Sequence, residues 1–213
     1  MKTDDFVAML ATGAEPVPRR AVSRRLWWAL GLSLPLALVL MQTEYGVRRD
    51  LVQAMFWPMF WVKVLVPACI GVAGYIMVQR LARPGVPVRR AWLGVALPVL
   101  ALWGLAVVAW VTMPDTARMP ALMGRTWRTC VFNIALISLP MFVASLLALR
   151  GLAPTRPAAA GAAAGALAAG AGAAVYALHC PELTAPFLAV WYVLGIALPV
   201  AAGALIGPRV LRW

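Results

Sequence analysis

Acidic residues are scarce in this chain: seven Asp and Glu stand against nineteen Lys and Arg in 213 residues, and there is a single His. Those shortages exclude much chemistry. There is no H-E-x-x-H zinc helix, no phosphate-binding glycine loop and no Ser/His/Asp constellation, so nothing supports an enzyme. The three cysteines form no C-x-x-C pair, which a quinone-linked thiol oxidase would want. None of the long apolar runs carries an Asp or Glu that would serve proton- or ion-coupled transport, and that counts against a transporter. Charged residues make up 12% of the chain, about half the share of a soluble domain. No polar stretch is long enough to form a separate soluble domain.

What the chain has instead is long apolar runs. A bilayer core of about 30 Å takes roughly 20 apolar residues per helix, and in lipid the helix satisfies its own backbone. Six spans fit, at 26–41, 54–78, 91–113, 130–149, 158–178 and 185–206. The expected fold is all-α, a polytopic six-helix transmembrane bundle. A tail (1–25) precedes the bundle (26–206), and a short tail (207–213) follows it. The first span is short and extends naturally toward Tyr45, with Trp27 and Trp28 at headgroup depth.

Basic residues gather at alternate boundaries. Thirteen fall on the side of the termini: Lys2, Arg19, Arg20, Arg24, Arg25, Arg80, Arg83, Arg89, Arg90, Arg150, Arg156, Arg209 and Arg212. Five fall on the other: Arg48, Arg49, Arg118, Arg125 and Arg128. The positive-inside rule then places both termini in the cytoplasm. It also accounts for the net charge of +12 without nucleic acid. Arg24-Arg25 ahead of the first run resembles a twin-arginine signal, but no A-x-A site follows, and no processing is expected.

Several residues within this frame invite a role. Prolines lie inside five spans (Pro35, Pro58 with Pro67, Pro98, Pro140, Pro199) and are expected to kink helices whose neighbours satisfy the freed carbonyls. The fifth span is nearly all Ala and Gly, which suits a helix packed inside its own bundle. Lys63 is an intramembrane charge with no carboxylate partner in the spans, and its ammonium is expected to snorkel toward the periplasmic surface. Asn133 is expected to bond across helices. Cys69 falls mid-span and reads as a small core residue.

Cys130 and Cys180 differ, because the topology sets both at the periplasmic boundary, in an oxidising compartment. His179 and Glu182 flank Cys180 in His179-Cys180-Pro181-Glu182, and Met113, Met119 and Met123 belong to the preceding periplasmic segment. Three readings stay open: a redox or thiol-reactive pair, a soft-metal site built from Cys130, His179 and Cys180, and plain packing. No cofactor is expected; a metal ion would enter as a stimulus. In the N-terminal tail, Thr3 is a fair N-cap, and Asp4 and Asp5 suit the positive end of a helix dipole. Phe6, Met9 and Leu10 share one face, Gly13 stops the helix, and Pro16 and Pro18 make a stiff spacer. So short a helix is suited to folding on a protein partner.

The order Lys2-Thr3-Asp4-Asp5, six spans, a Cys opening span four, His179-Cys180-Pro181-Glu182, Pro186-Phe187, Trp191-Tyr192 and Gly207-Pro208-Arg209 resembles the NrsF family of bacterial membrane anti-sigma factors. The resemblance runs the length of the chain. It implies an inner-membrane inhibitor that holds an extracytoplasmic-function sigma factor at the cytoplasmic face and releases it on a periplasmic stress. It also implies that Cys130 and Cys180 are the sensing pair, a role that Cys69 does not share. Asp4, Asp5, Phe6, Met9 and Leu10 are then the expected sigma contacts. The main alternative is a small transporter or metal-handling protein that uses the periplasmic Met, Cys and His residues.

Overall fold

The computed structural model describes residues 3–12, 21–152 and 154–212. Gly13, Pro16 and Pro18, expected as helix stop and spacer, lie outside them. All regular structure among the described residues is helical, and six helices are long and apolar enough to cross a membrane. A short helix α1 (Thr3–Thr12) precedes the first crossing and buries none of its residues.

The crossings follow in order. α2 (Ala21–Glu44) exceeds the expected span at both ends. A turn and the short α3 (Leu51–Ala54) lead to α4 (Pro58–Leu81). Pro58, expected inside a span, instead occupies the first turn of α4, where its missing N–H costs nothing. A 3-10 turn at Arg89–Trp92 opens α5 (Leu93–Thr112), which buries only Leu102 and Ala106. The segment after it, expected only as a Met-bearing connection, forms α6 (Asp115–Met123). Then come α7 (Trp127–Arg150) and α8 (Pro157–Tyr176). The last crossing is composite: α9 (Ala185–Phe187), a wide π-type turn at Leu188–Tyr192, and α10 (Val193–Val210).

α8 is the axis of the bundle. Almost every buried residue on it is Ala or Gly, so neighbouring helices approach to backbone contact. Gly161 meets the backbone of Gly203 on α10, Gly170 meets that of Gly71 on α4, and Gly172 sits against Ser138 on α7. A side chain larger than a hydrogen at these points would hold the helices apart.

The outward face of α4 carries Leu65, Cys69, Val72 and Ile76 at helical spacing. Cys69 is therefore exposed on the apolar perimeter, not in the core as its mid-span position suggested. Pro67, Ile70, Gly71 and Gly74 take the inward face.

At one end of the bundle lie the start of α2 and the end of α10, where Val22, Leu26, Leu81, Leu149 and Leu211 share one apolar cluster and Arg25 donates to the Gly151 carbonyl at 2.6 Å. The opposite end is closed by the loops after α2, α5 and α8. Two indoles fasten the composite crossing there and within the bundle: Trp191 Nε1 donates to the Leu122 carbonyl at 2.9 Å, and Trp103 Nε1 of α5 donates to the Ala189 carbonyl at 3.0 Å.

Candidate functional site

The end remote from the start of α2 and the end of α10 gathers Lys63, Arg48, Glu182 and two cysteines around one loop. Cys130 lies on the first turn of α7, and Cys180 lies in the loop that follows α8. Both are fully buried and unbridged, and they lie in one buried cluster with their thiols facing each other. The chain reaches this geometry through the neighbouring loop residues. Gly124 adopts a positive φ of 55°, a backbone conformation suited to glycine. The Glu182 carboxylate stands where a Gly124 Cβ would project, and it accepts the Arg125 backbone N–H at 2.7 Å and the Thr126 hydroxyl at 3.5 Å. The Cys180 loop is thus bound to the segment that opens α7. Thr184 strengthens the same junction by donating to the Ala121 carbonyl at 2.7 Å.

Lys63 enters from α4. Its side chain is 1% exposed, so it does not snorkel to the surface as the sequence suggested. It turns inward because the loop offers it two carbonyls: Nζ donates to Cys180 O at 2.5 Å and to Glu182 O at 2.8 Å. It also stands 5.3 Å from the centroid of the Tyr192 ring, within cation–π range. Among the described residues no carboxylate comes within 4 Å of this ammonium.

Arg48 completes the enclosure from the loop after α2. It is paired with Asp50 at 2.7 Å and donates from Nη1 to Cys180 O at 3.2 Å, while its backbone N–H donates to Leu178 O at 3.1 Å. The guanidinium holds the Asp50 carboxyl down at about 2. The Cys180 thiol is held below the ordinary thiol range, first by the hydrogen bond from Cys130 and then by the Lys63 charge, against the opposing effect of burial. Tyr192 is fully enclosed; its hydroxyl faces Cys180 but finds no hydrogen-bond partner among the described residues.

His179 is adjacent to Cys180 in sequence but turns away from the thiols. Its Nδ1 lies 2.9 Å from the Gly46 carbonyl, and its ring packs on Tyr45 and Tyr176. Asn133 does bond across helices, accepting from Tyr45 Oη at 3.1 Å and reaching Tyr176 Oη at 3.3 Å. Of the candidate metal ligands, the structure brings Cys130 and Cys180 together and leaves His179 apart. Among the described residues no three of His, Cys, Asp and Glu gather into a metal-binding group. Met119, on α6, is exposed. At the far end of the chain, Asp4, Asp5, Phe6, Met9 and Leu10 do lie on a helix, α1, and all are exposed.

Lys63, Arg48 and the Gly124–Thr126 turn are the parts of this site that sequence reasoning missed as partners of the thiols. The charge at Lys63 was visible, but its acceptors are main-chain carbonyls, which leave no mark in a sequence. The signal that was available was the absence of a carboxylate partner in the spans, since a buried ammonium must then find other acceptors.

A family model described as "Negative regulator of sigma F", NrsF, matches residues 10–213. A "Probable anti-sigma-F factor NrsF" from Azospira oryzae is 42% identical over 213 residues, covering 100% of both chains. The "Anti-sigma-F factor NrsF" of Caulobacter vibrioides is 42% identical over 218 residues, again with 100% of each covered. No solved structure matches. With a family model spanning nearly the whole sequence and relatives aligned from end to end, the chain belongs to the NrsF family.

Proposed function

We propose that this protein is an anti-sigma factor of the bacterial inner membrane, a regulator and not an enzyme. It sequesters an extracytoplasmic-function sigma factor at its cytoplasmic face and releases it when a periplasmic stress alters the Cys130/Cys180 pair. Family membership supports the regulatory role. The thirteen-to-five excess of basic residues at the end bearing the termini supports its cytoplasmic placement, which sets the thiols in the periplasm. α1, with Phe6, Met9 and Leu10 exposed beside Asp4 and Asp5, is the sigma-binding segment.

The observation that carries the sensing role is the contact between two buried thiols on different elements. Cys130 rides on α7 and Cys180 on the loop joining α8 to the last crossing, so any change in their bond acts on three membrane helices at once. Moving a partner from 99% bound to 1% bound takes about 5.5 kcal/mol of differential affinity. A disulfide contributes roughly 2–4 kcal/mol. Oxidation of the pair is therefore a partial switch, and opening of the polar enclosure by Lys63 and Arg48 must contribute to the rest.

Co-purification of the intact chain with a co-expressed extracytoplasmic-function sigma factor from the same genome tests this. The intact chain is expected to retain sigma and to release it under a thiol oxidant. A chain lacking residues 1–20 is expected to lose sigma, and Cys130→Ser and Cys180→Ser variants are expected to keep it under oxidant. Cysteine variants that release sigma like the parent refute the sensing role, and retention by the truncated chain moves the contact to the loops near Arg80–Arg90.

A further inference from the structure

We propose that Lys63 is the fixed counter-cation of a Cys180 thiolate, which makes Cys180 the nucleophile of the pair and Cys130 its hydrogen-bond donor and resolving thiol. This rests on the sensing role given above and assigns its chemistry.

The asymmetry comes from the charges and dipoles facing Cys180 on every side. From α4, Lys63 supplies a cation that is buried and, among the described residues, lacks a carboxylate. Two of its three N–H groups are committed to the carbonyls of Cys180 and Glu182, which anchor the ammonium at the Cys180 loop and leave one N–H over. From the loop after α2, Arg48 also faces Cys180, but its charge is matched by Asp50. From the loop itself, the Glu182 carboxylate is drawn off toward Arg125 and Thr126. From α8 and the π-type turn, Tyr176 and Tyr192 supply hydroxyl-bearing rings and no charge. From α7, Cys130 supplies a thiol, and Thr126 Oγ1 stands 4.0 Å from the Cys180 sulfur. A buried ammonium must either give up its proton or face an anion, and the sulfur of Cys180, the residue whose carbonyl Lys63 holds, is the acidic group in position to be one. Cys130, by contrast, has no cation bonded to it among the described residues and is the donor.

The consequence for reactivity is an ordered exchange with an oxidised sulfur compound such as a low-molecular-weight disulfide. The Cys180 thiolate attacks one sulfur, a new S–S bond forms, and the other sulfur leaves as a thiolate. Cys130 then attacks the Cys180 sulfur of the mixed disulfide. The Cys130–Cys180 bond forms, and the second small thiol departs carrying the Cys130 proton. Two thiols of the protein are oxidised and one small disulfide is reduced. Oxidation also removes the anion that Lys63 faces, so the ammonium is left unmatched at the moment the sensor changes state.

The test is the infrared S–H stretch of the full chain in lipid, in a Cys69→Ser background so that only the pair is observed. At neutral pH the parent is expected to show one S–H band, assigned to Cys130 by its loss in Cys130→Ser. Lys63→Met is expected to show two bands, and Lys63→Arg, which keeps the charge, to keep one. Two bands in the parent at neutral pH overturn the proposal whatever the variants do. A single band that persists in Lys63→Met overturns the role of Lys63, because a merely structural lysine would shift or broaden bands without changing their number. No sigma factor enters this measurement, so it can fail while the sensing role stands, and the reverse also holds.

Discussion

Replacing Gly170 with alanine isolates the backbone contact on which the bundle turns. A methyl group at Gly170 would point into α4, where the Gly71 Cα and the Pro67 carbonyl oxygen would lie 2.6 Å from it, and the Gly71 nitrogen closer still. Ordinary contact begins at 3.4 Å, so α8 and α4 must part by at least about 0.8 Å, and neither side offers a flexible side chain that could yield instead. Overpacking of this kind costs about 1–3 kcal/mol. Alanine returns up to about 1 kcal/mol in helix propensity. Gly31, with nothing within 4 Å, is the matched control, because there only the propensity gain remains. For a chain of this size 1 kcal/mol corresponds to roughly 2–4 °C in midpoint. Thermal challenge of the purified protein, read by loss of the monodisperse peak on size exclusion, should therefore give Gly170→Ala a midpoint several degrees below that of Gly31→Ala. Because Lys63 rides on α4 and Cys180 follows α8, the same parting should weaken the Lys63 bonds to the loop. Equal midpoints for the two variants would refute the packing argument.

Cys69→Leu should be indistinguishable from the parent in midpoint, within about 0.5 kcal/mol, and in its response to oxidant, since Cys69 lies on the outward face with Leu65 and Val72; a lost response would return Cys69 to the sensing site. The Asp50 carboxyl, followed by carbon NMR, should titrate near 2 in the parent and return toward about 3.9 in Arg48→Met. The sign follows from a folded value below the unfolded one: the Arg48–Asp50 pair stabilises the loop fully above about pH 4, and that contribution is lost as pH falls through about 2.

Much of the architecture was written in the hydropathy of the chain. Six long apolar runs leave few other folds, and the near absence of large side chains between Pro157 and Tyr176 marks a helix that others surround. The meeting of Cys130 and Cys180 was half legible: counting crossings brings both to one end, but only the packed loops bring the sulfurs together. Cys69 misled because hydropathy gives depth along a helix and not direction around it. In a membrane the outward face is as apolar as the inward one, so the period that separates core from surface in a soluble helix carries no contrast. Lys63 was seen as a charge without a destination, since its partners are carbonyls of a loop more than a hundred residues away. The π-type turn had no sequence signal beyond Pro186 and the aromatic pair Trp191-Tyr192.

That turn has a bearing on α5. A wide turn releases backbone carbonyls from their usual partners, and the one at Ala189 is taken by the Trp103 indole. α5 is held largely at the rim, with two residues buried along its twenty. In water either group could be detached and solvated cheaply. In hydrocarbon there is no solvent to replace the lost bond, so detaching α5 would strand a donor on one helix and an acceptor on the other. The irregular turn and the rim helix are therefore conditional on each other. A defect in the last crossing that restored regular α-helix would take away the partner of Trp103, and the first visible symptom would be a loosened third span and not a loosened sixth.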